Sequence, residues 1–247
     1  MRTRQFYVPR DSIRGNSVTL PSNQAHHLRD VLRMSSGEVV EIFDGTGQAY
    51  AGKVELQGPT VIVRDLQTIP ARDSVTRVLL AAALIKSSKF EWVLQKAAEL
   101  GVNALIPLRT RRTEIRIPES KIASRLERWD RIVQEASKQC RRLRVPQIFA
   151  PMGFSELLAA EEFSPGKKLL FHADATETWK WDPDARDSQI LLCIGPEGGW
   201  EDGEIADASR AGYQIFSLGP LVLRAETASI ATAAITRYHI NLRNSQD

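Results

Sequence analysis

The unbroken apolar run Val78-Leu-Leu-Ala-Ala-Ala-Leu-Ile85 constrains this chain more than any other stretch. A strand with one face in water alternates apolar and polar residues. A strand that is apolar at every position has both faces covered, as in parallel sheets flanked by helices. The residues that follow agree with that reading. A helix is expected at 88–100, with Phe90, Val93, Leu94 and Ala97 at helical spacing and Gly101 as its stop. Strands at 104–108, 146–149, 168–172, 190–194 and 214–218 then alternate with helices at 119–142, 154–160, 202–211 and 226–241. Alternation of this kind predicts an α/β domain with a parallel sheet.

Before Pro70 the period is different. Ser17–Leu20, Glu38–Phe43, Tyr50–Glu55 and Thr60–Arg64 are short β-rich runs, separated by Ser36-Gly37, Asp44-Gly-Thr-Gly47 and Gly58-Pro59. A helix at 22–33 is expected among them, capped by Ser22 or Asn23, with Leu28, Val31 and Leu32 on one face. Several short strands with one helix predict a small β-barrel. The two domains expected are therefore 1–72 and 73–247.

No apolar run approaches the ~18 residues needed to cross a bilayer, and no apolar stretch follows the basic start of the chain. Cys140 and Cys193 lie far apart with no CxxC pairing, which argues against a disulfide framework or a cysteine zinc site. A cytoplasmic protein without a metal is the expectation. The charge is uneven: residues 71–150 hold 17 Lys/Arg against 8 Asp/Glu, a net of +9 in a chain of net charge +3. A basic middle segment predicts a polyanionic partner such as RNA.

The Walker, zinc-protease and α/β-hydrolase signatures are absent, and Gly45-Thr-Gly47 lacks the third glycine of a dinucleotide fingerprint. Two other loops stand out. Ile194-Gly195-Pro196-Glu197-Gly198-Gly199 directly follows an apolar strand, and glycines there let backbone approach a ligand. Leu218-Gly219-Pro-Leu-Val-Leu223-Arg224-Ala-Glu226-Thr227-Ala228 also joins a strand to a helix, with apolar residues where a solvated loop is expected. Successive strand ends of this kind predict one crevice for a small ligand.

Together, Gly195-Pro-Glu-Gly-Gly199 and Leu218-Gly with Leu223-Arg224-x-Glu226-Thr227-Ala228 resemble the SPOUT class of S-adenosylmethionine-dependent RNA methyltransferases. Within it the resemblance is to the family that methylates N3 of a uridine in 16S ribosomal RNA. His26–Arg33, Lys86 with Glu91–Val102, and Gln134–Arg142 fit the same family, so the resemblance covers nearly the whole chain. It implies a small PUA-like β-barrel for RNA, followed by an α/β-knot domain whose trefoil knot forms the pocket for S-adenosyl-L-methionine. It also implies a homodimer acting on 16S ribosomal RNA or the small ribosomal subunit.

The cofactor residues implied are Phe171 and His172 at one strand end, then Ile194, Gly195, Pro196, Gly198 and Gly199 in the first loop. Leu218, Gly219, Leu223, Thr227 and Ala228 complete them in the second. RNA contacts are expected from Arg2, Arg4 and Arg29 in the barrel and from Arg109, Arg111, Arg112 and Arg116 after a strand. Arg141 and Arg142 at a helix end join them; the bland reading of that last pair is complementation of a helix C-terminus. The chain departs from the family at Ala225, often Thr there, and at Glu201-Asp202, where Asp202 is expected to cap the next helix.

The chemistry assigns roles. Methyl transfer from a sulfonium depends on positioning, and uracil N3–H lies on the Watson–Crick face, so the base must be extruded or unpaired and then deprotonated. A cation beside its carbonyl oxygens stabilises the developing anion. Arg224 is the candidate cation. Glu197 and Glu226 are the nearby carboxylates that could take the proton; Glu226 falls where a helix begins, Glu197 is taken as the catalytic residue, and the sequence leaves open which of the two is the base. The rival readings are a SPOUT enzyme for another RNA and a non-catalytic RNA-binding protein.

Overall fold

Short strands with alternating burial make the first part of the molecule. They are β1 (Arg4–Tyr7), β2 (Ile13–Arg14), β3 (Ser17–Thr19), and, after helix α1 (Ser22–His26), β4 (Val39–Phe43), β5 (Ala49–Gln57) and β6 (Thr60–Ile69). Their order in the sheet is β1-β4-β5-β6-β3-β2, antiparallel except for the parallel pair β1–β4. Phe6 and Ile13, from the two edge strands, pack into one core with Val40, Ile42, Val54 and Val63, so the sheet is curled on itself. Asp44–Gly47 turns between β4 and β5, with Gly47 at φ +100°.

The chain after α1 departs from expectation. Pro21 precedes the helix where Ser22 or Asn23 was expected as cap, and His27–Val31 continue as a π-helical turn. The Leu32 N–H bonds the His27 carbonyl five residues back. That wider turn rotates the side chains after Leu28. Leu28 stays buried, whereas Val31, expected beside it, is 60% exposed.

This computed structural model describes residues 4–69, 76–140, 142–182 and 187–244. It divides into two units, Met1–Asp73 with Ser137–Val145, and Ser74–Ala136 with Pro146–Asp247. The expected boundary at 72/73 lies outside the described residues, as do Arg2 and Arg141.

The second unit contains β7 (Arg77–Ala83), α2 (Ser87–Glu99), β8 (Ala104–Arg109), most of α3 (Ile122–Cys140), β9 (Gln147–Ile148), β10 (Met152–Gly153) and α4 (Phe154–Ala159). It continues with β11 (Lys167–Phe171), β12 (Gln189–Ile194), α5 (Asp202–Arg210), β13 (Gln214–Phe216) and α6 (Ala225–Asn244). The strands run β10-β8-β7-β12-β11-β13, all parallel, with β9 beside β8. Leu79 and Ala81 join Ile106, Leu191, Phe154 and Trp200 in one core. The intervening Leu80 and Ala82 are buried on the opposite face, which α6 covers. An all-apolar β7 is the consequence of helices on both faces.

Asp202 does not cap α5. Glu201 occupies the cap position, and the buried Glu204 carboxylate accepts the Glu201 N–H at 3.0 Å and the Arg111 N–H at 2.9 Å. A longer side chain one turn inside the helix reaches both orphan donors, and Asp202 is left in the first helical turn.

Candidate active site

Strand register builds the site. Phe171, the last residue of β11, pairs with Ile194 of β12 and with Phe216 of β13. Three parallel strands thus end level, and the segments after them share one edge. A cavity of about 270 Å³ lies there, walled by 171–174, 194–200, 218–219, 221–223 and two residues of α6. Small-molecule sites in general run from roughly 300 to 1,000 Å³, so the size suits a compact ligand.

Of the expected cofactor residues, Phe171, His172, Ile194, Gly195, Pro196 and Gly198 line this cavity. Gly199, Leu218, Gly219, Leu223 and Ala228 do so as well, and so does Glu197. Thr227 does not. Ala225 and Ala228 are three residues apart on one stripe of α6, and helical geometry turns Thr227 away from it, to an exposed position. Arg224 stands just before α6, exposed and outside the cavity lining. Its side chain makes no hydrogen bond or ion pair among the described residues.

The apolar residues of the second loop behave as their sequence predicts. Leu221 is 76% exposed and Val222 82%, yet both form cavity wall. Backbone forms wall too: Gly199 and Gly219, at φ +71° and +116°, have open space where a Cβ would stand. At Gly195 the reason for glycine is different. A Cβ there would lie 3.0 Å from Trp200 Nε1. Trp200 is 2% exposed, donates that N–H to the Phe171 carbonyl at 3.0 Å, and packs on Phe154. One buried indole therefore ties the β11 end to the first loop.

Several wall residues carried no legible signal. Ala173 and Asp174 follow a strand end that has no glycine, and Asp174 faces His172 at 3.7 Å. Trp200 reads in sequence as ordinary core. Arg112, expected to meet RNA, lines the cavity and donates Nη1–H to the Gly198 carbonyl at 2.9 Å. Arg111 is 3.3 Å from Glu201, and Arg109 is 3.8 Å from Glu156. Arg116 is exposed. Three of the four arginines in this loop are thus partnered within the protein. In the first unit Arg29 is tied to Asp30, Arg4 is exposed, and Arg142 is partly buried.

Below the cavity lies a charged cluster that the sequence did not reveal. Lys89, in the first turn of α2, approaches Glu226 at 3.1 Å and Glu197 at 3.5 Å. Glu226 is only 6% exposed. Burial by itself would raise its pKa, but a backbone hydrogen bond, Lys89 and the field of Arg224 hold it below the usual carboxylate range. Glu226 is ionised at neutral pH.

The fold and the site define a parallel α/β domain with a cavity at its strand ends, preceded in the chain by a curled β domain. A family profile described as an RNA methyltransferase domain matches residues 72–237, and one described as an RNA methyltransferase PUA domain matches 20–65. With a Synechocystis relative the chain shares 35% identity over 226 residues, 89% of this chain and 72% of the relative. With one from Bacillus subtilis it shares 28% over 244 residues, 92% and 91% of the two chains. Both relatives are named ribosomal RNA small subunit methyltransferase E.

Two solved structures align over 96% of this chain and 98% of their own. One is a ribosomal RNA small subunit methyltransferase E from Neisseria gonorrhoeae bound to S-adenosylmethionine, at TM-score 0.79 and 29% identity. The other is a methyltransferase from Legionella pneumophila in complex with the same cofactor, at TM-score 0.78 and 32% identity. The chain belongs to the SPOUT-class ribosomal RNA small subunit methyltransferase E family.

Proposed function

We propose that this protein transfers the methyl group of S-adenosyl-L-methionine to N3 of a uridine in 16S ribosomal RNA. The observation that carries the proposal is the cavity at the level ends of β11, β12 and β13, walled by the two glycine loops. Bare backbone at Gly199 and Gly219 suits a flat ring with polar edges, and Leu221, Val222 and Leu223 supply the apolar side. These residues fit the cofactor that the two solved relatives hold. When bound, it supplies an electrophilic methyl group at its sulfonium.

The protein's own part is positioning and charge. Arg224, without an ion pair among the described residues and flanked by the wall residues Leu223 and Ala225, offers its guanidinium to a uracil carbonyl oxygen and stabilises the negative charge left as N3 loses its proton. Glu197, at the wall and half-exposed, takes that proton. After incubation of the protein with S-adenosylmethionine and small-subunit RNA, nucleoside analysis is expected to yield 3-methyluridine. Ribose methylation, or no product, rejects this reading.

Residues 1–72 as a PUA-like RNA-binding domain and 73–247 as the methyltransferase domain complete the proposal. Arg4, Arg29, Arg109, Arg116 and Arg142 are its phosphate-facing side chains, with Arg111 and Arg112 holding their loop at the cavity edge. Arg116→Ala is expected to lower the slope of log affinity against log salt by about one, the loss of one phosphate contact. An unchanged slope removes Arg116 from the RNA path.

A homodimer belongs to the same proposal, supported by the outer face of α6. Ile235, Tyr238 and Leu242 stand exposed there, while Ser229, Thr232, Ala233 and Thr236 are buried. Light scattering at micromolar concentration is expected to give twice the chain mass, and a monomer mass rejects it. No helix among the described residues is long and apolar enough to cross a membrane. Cytoplasmic action on ribosomal RNA fits that.

A further inference from the structure

An ion pair with one buried partner stands next to the cation assigned to the substrate. Glu226 lies in the first turn of α6, and only Ala225 separates it from Arg224. One oxygen of Glu226, Oε1, meets Lys89 Nζ at 3.1 Å. The other, Oε2, is buried and has no hydrogen-bond partner among the described residues. A charged acceptor left without a donor in a buried place is costly, so any nearby donor is drawn to it. The other cation whose field reaches Glu226 is Arg224.

Left alone with Glu226, Arg224 is the remaining cation whose field acts on that carboxylate, two residues away in the chain, and guanidinium–carboxylate pairs are favoured geometrically. An arginine engaged in that way presents fewer donors to a substrate. Lys89 approaches from α2, outside the loop that carries Arg224, and supplies the charge that Glu226 needs. It also reaches Glu197 at 3.5 Å, so one ammonium serves both carboxylates near the cavity.

We propose that Lys89 is a positioning residue: by neutralising Glu226 from the α2 side, it keeps the Arg224 guanidinium out of an internal ion pair and available to the substrate. The proposal rests on the substrate-facing role given to Arg224 above. It makes an unusual demand, because a loss caused by removing Lys89 is then repaired by removing a second charge.

The test compares Lys89→Met, Lys89→Arg and the double variant Lys89→Met with Glu226→Gln. Single-turnover methylation of small-subunit RNA is read with saturating S-adenosylmethionine, beside calorimetric titration of that cofactor. Lys89→Met is expected to slow methyl transfer about tenfold or more, the scale of coupling between contacting charged groups, with cofactor affinity within about twofold of the original. Lys89→Arg is expected to stay near the original rate. The double variant is expected to recover most of the lost rate, since Glu226→Gln no longer competes for Arg224.

A Lys89→Met rate equal to the original overturns the proposal. So does a double variant no faster than Lys89→Met, or a loss of cofactor affinity in step with rate, each of which marks Lys89 as a structural strut. The underlying reading fails in a different way. If the unaltered protein makes no 3-methyluridine, or if Arg224→Ala proceeds at full speed, the reaction or the role of Arg224 is misassigned.

Discussion

Gly195→Val is expected to weaken S-adenosylmethionine binding by about 10- to 100-fold, the equivalent of the ~1–3 kcal/mol that overpacking costs. Even the first added carbon lies 3.0 Å from Nε1 and 3.1 Å from Cε2 of Trp200. Valine adds two methyl groups beyond it. The indole has nowhere to go: it is buried, bonded to the Phe171 carbonyl, and stacked at an angle on Phe154 with ring centres 4.7 Å apart. Either the first loop moves off β11 or the indole gives up its bond, and in both cases two cavity walls separate. Calorimetric titration and a thermal melt read the result. Gly203→Ala, on α5 with open space around the added carbon, is the control and is expected to bind normally. Normal cofactor affinity in Gly195→Val places the cofactor elsewhere.

Arg224→Ala is expected to slow methyl transfer on the order of 10²-fold or more, as removal of a group that stabilises a developing oxyanion does. Cofactor affinity and melting temperature are expected to hold. The structural reason is the arginine's lack of internal partners: exposed and unpaired among the described residues, it supports no neighbour whose loss would loosen the loop. Arg224→Lys keeps the charge without the planar fork of donors and is expected to fall between. Single-turnover rates at saturating cofactor separate the cases. A parallel fall in stability and cofactor affinity makes Arg224 a strut and removes it from the chemistry.

The contrast between these two residues shows which candidate positions sequence can reach. Gly195 and Arg224 are both conspicuous in the sequence, because glycines after an apolar strand and a lone arginine before a helix break local pattern. The pattern names the loops. It does not say that Gly195 is glycine because of an indole five residues on, while Gly199 and Gly219 are glycine at a positive φ that side chains rarely adopt. Those are different causes for one residue type, and only the neighbours distinguish them. The basic loop makes the same point in reverse. Its arginines look alike in sequence, yet Arg112 is a wall of the cavity and Arg116 is exposed to solvent.

What the sequence determined by itself is whatever depends on spacing along the chain. The apolar run at 78–85 required a two-sided parallel sheet, the alternation before residue 70 required a β domain, and glycine loops after apolar strands required a crevice. Hydrophobic period and turn chemistry are local, so one chain carries them openly. The tertiary structure alone decided which strand ends stand level, since register is set by pairing between residues far apart: Phe171 with Ile194 and Phe216. It decided that Ala173 and Asp174 join the cavity. It placed Ser137–Val145 with the first unit, a division that no shift in composition marks. It brought Lys89 to Glu226 across more than half the chain, and Lys89 does not stand out in its own segment. An ion pair between distant residues leaves no periodic trace, because its energy depends on a distance in space that the sequence does not contain.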